Sequence, residues 1–177
     1  MPLFAVLSLD RSEYRFPVAL VRVLVDGYSL LHQWPELAAG QPRHSAQARH
    51  ALIRILTLYQ DITGVPVTVF FDSRHRRGPA PGPEPENPIE VLYSAPGQTA
   101  DALIERAAAR LAAWGEIVVV TEDRAERETV QALGAWTWSC REFIQQLQQT
   151  LQEQRTEINR RNRHEQLRFQ NRRRVLP

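Results

Sequence analysis

The chain has 177 residues, 43% of them hydrophobic, and this fits one α/β domain with a proper core rather than two domains. Its 22 basic residues are all arginine, so chemistry that needs a lysine amine is excluded, and the single cysteine, Cys140, allows neither an internal disulfide nor a CxxC metal site. The net charge of +2 hides an asymmetry: residues 1–150 carry 14 Arg against 17 acids, while 151–177 carry 8 Arg against 3 Glu. Residues 1–19 begin apolar but lack a basic leader region, and Asp10 and Arg11 interrupt them. They read as an N-terminal extension, neither signal peptide nor membrane span, and the expected location is cytoplasmic.

Taken in chain order, Leu20 to Val25 is the first short β-rich apolar run. A helical pattern follows from Ala46 to Tyr59, with Leu52, Ile55, Leu56 and Tyr59 on one face. Val67 to Phe71 is the second strand. Residues 78–88 are too rich in proline for helix or central strand, and Ile89 to Tyr93 is a weaker strand nearer an edge. Thr99 to Trp114 is helical, and Ile117 to Val120 is the third strong strand. Asp123 and Glu126 have the spacing of an N-cap and its N3 acid, opening a helix that Gly134 ends. Ala135 to Trp138 is a last short strand, and Ser139-x-x-Glu142 is a second capping box, opening a helix striped by Phe143, Leu147 and Leu151. Strand and helix alternate, which predicts a three-layer α/β/α sandwich on a central, mainly parallel sheet. Residues 20–150 form its body and 151–177 an extended, Arg-rich C-terminal helix or tail.

The acids fall where such a sheet binds ligands. Asp26 directly follows the first strong strand, Asp72 the second, and Asp123 the third after Thr121 and Glu122, so all three belong to one sheet edge. Asp101 adds a carboxylate from a first helical turn, with Glu105 four residues on. Each acid alone has an ordinary role as turn or cap residue. Together they repel one another unless a cation is bound, and oxygen-only ligands suit Mg²⁺ or Mn²⁺. Such ions serve phosphodiester hydrolysis. A P-loop NTPase would need GxxxxGK[ST], and receiver and haloacid dehalogenase-type sites normally need a lysine.

Val25-Asp26-Gly27-Tyr28-Ser29-Leu30-Leu31-His32, Val69 to Asp72, Thr99 to Glu105, Val119 to Glu126 and the closing Ser139 to Phe143 together resemble the YacP-like NYN domain family of the PIN-like nuclease superfamily. The resemblance implies a PIN-like fold and a Mg²⁺- or Mn²⁺-dependent endoribonuclease, a hydrolase acting on RNA. It carries metal-binding and catalytic roles onto Asp26, Asp72, Asp101 and Asp123, with Glu105 as a helper; Ser29 stands among the catalytic candidates because its hydroxyl can hydrogen-bond to water or phosphate. Two positions depart: the family usually has Asn at Ser29 and a small residue at Glu122. They give the alternative expectation of a catalytically weakened RNA- or ribosome-binding protein; a nuclease for structured DNA is a third.

A polyanionic substrate needs cations beside the acids. Arg74, Arg76, Arg77 and Arg124 are the expected RNA contacts, and the arginines of 155–174 are a further candidate surface for RNA or the ribosome. His32 is assigned a packing or hydrogen-bonding role. Trp34, Trp114, Trp136 and Trp138 lack the spacing of a base-stacking platform and are assigned to core or edge packing.

Overall fold

β-Branched and aromatic residues in short runs, each flanked by turn formers, specify strands that are buried on both faces. The computed structural model describes residues 20–38, 40–73 and 89–174, with side chains to 166. Its elements are β1 (Leu20–Asp26), α1 (Gly27–Gln33), α2 (Pro35–Ala38), α3 (Ala46–Thr63), β2 (Val67–Phe71), β3 (Glu90–Tyr93), α4 (Ala100–Leu111), β4 (Glu116–Val120), α5 (Arg124–Ala132), β5 (Trp136–Trp138) and α6 (Cys140–Arg174). A 3₁₀ turn at Ala112–Trp114 links α4 to β4. The N-terminal extension and the proline-rich segment lie outside the described residues.

Five strands form one sheet in the order β3-β2-β1-β4-β5, and every pairing is parallel. The register joins Val25 to Val69 on one side and to Val120 on the other, so the ends of β1, β2 and β4 finish level. Alternation along each strand then divides the core in two. Val23, Val25, Val69, Phe71, Val118 and Val120 face a layer containing residues of α1, α2, α3 and α6. Leu24, Phe70, Ile117 and Val119 face α4 and α5 through Ala100, Ile104, Ala108 and Val130. This is the expected three-layer sandwich, with the weak strand β3 at an edge.

α1 and α2 are not apparent in the sequence pattern, because seven and four residues are too few for helical periodicity to register. α1 leaves β1 without a connecting loop, and Gly27 permits this: a Cβ there would stand 2.3 Å from the Phe71 ring. Cys140 is a buried packing residue. Trp114 departs from its assignment to packing. It is 78% exposed at the end of the 3₁₀ turn before β4, a turn with no buried residue, whereas Trp34 is buried.

α6 is one unbroken helix. Phe143, Ile144 and Leu147 are core residues, while 152–166 are exposed apart from a half-buried Glu157, so the apolar stripe stops where the helix leaves the body. No helix among the described residues is long and apolar enough to cross a membrane.

Candidate metal centre at the carboxyl ends of the strands

The chain runs outward from β1 to β2 and β3, then crosses back through α4 to β4 on the other side of β1. Such a reversal leaves a crevice at the strands' carboxyl ends, and the acids collect there. Asp26 ends β1 and caps α1. Its Oδ1 accepts the backbone N–H groups of Tyr28 at 3.1 Å and Ser29 at 3.2 Å, and its Oδ2 accepts the Ser29 hydroxyl at 2.6 Å. A helix N-terminus therefore holds the carboxylate in place. Ser29 spends its hydroxyl on orienting Asp26.

Asp101 lies in the first turn of α4, whose N-cap is Thr99. Burial holds its carboxyl above the usual range, and the charges of Asp26, Asp123 and Asp72 push it in the same direction. Asp123 is exposed and caps α5, accepting the N–H groups of Ala125 at 2.7 Å and Glu126 at 3.1 Å. Asp72 is buried, with the Ser94 hydroxyl 3.5 Å from its Oδ1. Glu105 is half-buried, one turn beyond Asp101.

The tightest group is not the one the sequence pattern suggests. Oxygens of Asp26, Asp101 and Glu126 lie within 4.8 Å of one another. Asp72 and Asp123 stand outside this trio, close enough for both to raise the pKa of Asp101. Glu126 is the residue that sequence reasoning missed. Its spacing from Asp123 is that of a capping box, but the box does not close: the Asp123 N–H goes instead to the Thr121 hydroxyl at 3.1 Å. Freed from capping, the Glu126 side chain enters the crevice. It is 3% exposed, and neither carboxyl oxygen has a hydrogen-bond partner among the described residues. Burial above all, with lesser contributions from the charges of Asp26, Asp101 and Asp123, pushes its pKa up to about 8, although the nearby Thr121 opposes the shift more than any one of those charges adds to it.

A buried acid with both oxygens unpartnered, facing two further carboxylates, is costly unless a cation joins it. An all-oxygen donor set fits a hard divalent ion such as Mg²⁺ or Mn²⁺ and offers no nitrogen or sulfur to zinc.

Glu122, one of the two positions that depart from the family pattern, is engaged away from the trio. It accepts the Cys140 N–H at 2.7 Å and lies 3.3 Å from Arg127, so its charge is used at the start of α6. Of the expected RNA contacts, Arg124 is exposed and pairs with Glu128 at 3.1 Å. Arg74, Arg76 and Arg77 lie outside the described residues. His32 does hydrogen-bond, with its Nδ1 3.0 Å from Arg43.

Comparison with known proteins places this architecture. The YacP-like NYN domain matches residues 23–174. The uncharacterized protein YacP of Bacillus subtilis (strain 168) is 32% identical over 127 residues, 71% of this chain and 74% of that protein. The crystal structure of Rae1 (YacP) from Bacillus subtilis aligns with a TM-score of 0.70 at 26% identity, covering 84% of this chain and 85% of the other. A point mutant of Rae1 (YacP) gives 0.65 at 28%, covering 80% and 82%. With the fold, the sequence and most of the length in common, the chain belongs to the YacP-like NYN domain family, a nuclease family of the PIN-like class.

Proposed function

We propose that the protein is a Mg²⁺- or Mn²⁺-dependent endoribonuclease that hydrolyses phosphodiester bonds of RNA, messenger RNA among its candidate substrates, in the cytoplasm. The observation that carries the reading is the buried Glu126, without a hydrogen-bond partner among the described residues, beside Asp26 and Asp101. These three residues would hold the ion, with Asp72 and Asp123 adding negative charge around it. When bound, such an ion supplies Lewis acidity at the scissile phosphate and favours ionisation of the attacking water. The chain's own residues prepare the site. The α1 N-terminus and Ser29 fix Asp26, the α5 N-terminus fixes Asp123, and Glu126 gives up the proton it holds near neutral pH as a cation arrives.

In this reading residues 20–150 are the nuclease body. Residues 151–177 are a basic arm that meets structured RNA such as that of the ribosome, supported by the exposed arginines along α6. The rival reading, an RNA- or ribosome-binding protein with weakened catalysis, is disfavoured because Arg127 and the α6 N-terminus compensate the Glu122 charge.

Cleavage of end-labelled RNA tests the proposal. Products are expected with Mn²⁺ or Mg²⁺, and none with EDTA or in Asp26→Asn. Equal cutting in all lanes refutes the site. Salt-sensitive RNA binding without any metal-dependent products favours the rival, and a matched DNA strand tests substrate class.

A further inference from the structure

An acidic crevice repels the polyanion it is to cut, so the flanking surface must supply the attraction. Two arginines on the β4 side are engaged. Arg127 binds the Thr121 carbonyl and Glu122, and Arg124 pairs with Glu128. The β1 side differs. Tyr28 and His32 lie one turn apart on α1, and His44, from the turn before α3, touches both rings, with centroids at 4.6 Å and 5.2 Å. Tyr28 also meets Phe71 edge-on at 5.1 Å. The row begins two residues from Asp26 and grades from buried Tyr28 through half-buried His44 to exposed His32.

At its outer end Arg43 meets His32 Nδ1 at 3.0 Å. A guanidinium can only donate, so in this pairing Nδ1 accepts, and the bond lies at the ring edge rather than over a face. Among the described residues no ion pair joins an acid to Arg43 or His32, and both side chains are exposed.

We propose that His32, His44 and Arg43 form a subsite for single-stranded RNA next to the cleavage position, where an unpaired base stacks on the imidazoles and Arg43 meets the neighbouring phosphate. The subsite rests on the ribonuclease reading and deepens it by naming the substrate class. An unpaired base can lie on a protein ring, whereas a duplex keeps its bases stacked on each other.

The test is fluorescence anisotropy with a labelled single-stranded RNA of about twelve nucleotides, a practical choice given binding-site sizes of this class, and the full chain in EDTA, so that no cutting intervenes. His32→Gln keeps an acceptor for Arg43 but loses the ring, and His32→Phe keeps a ring. The single strand is expected to bind about tenfold more weakly to His32→Gln than to wild type, with His32→Phe within about threefold of wild type. A duplex of the same sequence is expected to bind wild type and His32→Gln alike. Equal single-strand binding by wild type and His32→Gln overturns the subsite, as does equal weakening by the Gln and Phe variants, or a duplex that loses affinity in parallel. Failure of the wild type to bind any RNA strikes the ribonuclease reading itself, which makes the two failures distinguishable.

Discussion

Two glutamates on either side of Asp123 mark two regions that treat the same charge in opposite ways. At the seam between β4 and α6, Glu122 has Arg127 at 3.3 Å and the Cys140 N–H at 2.7 Å, so its burial is compensated and serves to join two elements. In the crevice, Glu126 has no hydrogen-bond partner among the described residues, although Arg127 is its immediate neighbour in sequence. The chain thus carries a cation at the right place along the backbone and turns it away, towards Thr121 and Glu122. Compensation at the seam is built from protein, and in the crevice it is left to a ligand.

The largest effect that would sharpen this contrast is expected from Asp101→Asn. Removing one of the three gathered carboxylates should lower metal-dependent RNA cleavage by at least about 100-fold, the scale for losing a principal electrostatic group. Product formation in Mn²⁺ measures it, and near wild-type rates would break the contrast.

Next comes pH. Glu126 stays protonated in the folded chain up to about 8, but ionises near 4.5 when exposed. The native state therefore holds an extra proton between those values, and metal-free stability falls as pH rises from about 4.5 to about 8, by a few kcal/mol at most. Thermal melting in EDTA at pH 5 and pH 8 reads this loss, and Glu126→Gln should flatten it. Equal slopes would show that the buried acid is satisfied after all.

A smaller, structural effect is expected from Glu122→Ala. Losing a charged hydrogen bond at the α6 N-terminus should cost about 1–3 kcal/mol in urea unfolding, with cleavage per folded molecule kept within a few-fold. A large catalytic loss without destabilisation would return Glu122 to the metal centre. The smallest change is Ser29→Ala: it frees Asp26 Oδ2 and should cost about 1 kcal/mol of stability, with a several-fold loss of cleavage. An unchanged rate would mean that the α1 N–H groups alone hold Asp26.

The fold was largely legible because its strands are short β-rich runs and its longer helices carry apolar stripes or caps. The Ser139-Glu142 box is an example: it closes as read, with Ser139 and Glu142 exchanging bonds at 2.8 Å and 3.1 Å. The same grammar misled at Asp123-Glu126, where Thr121 satisfies the N–H that the glutamate would have taken. That substitution depends on a neighbouring hydroxyl in three dimensions, and capping spacing alone does not encode it. The role of Glu122 is not legible in the sequence because its partner Cys140 is eighteen residues away and is met only once β5 is in place. The imidazole row escaped notice for a similar reason, since His32 and His44 are joined by the packing of α1 against the turn before α3.

The wholly parallel sheet with β1 at its centre has a consequence in time. Val23 pairs with Val67 and with Val118, so the strand ending in Asp26 waits for partners far downstream. Parallel pairings cannot be made locally and form slowly. During synthesis the early acids emerge long before Glu126, and the cation pocket closes only after β4 and the first turn of α5 have docked. In the nuclease proposed above, a half-made chain would lack the complete trio, and folding itself would act as the safety catch.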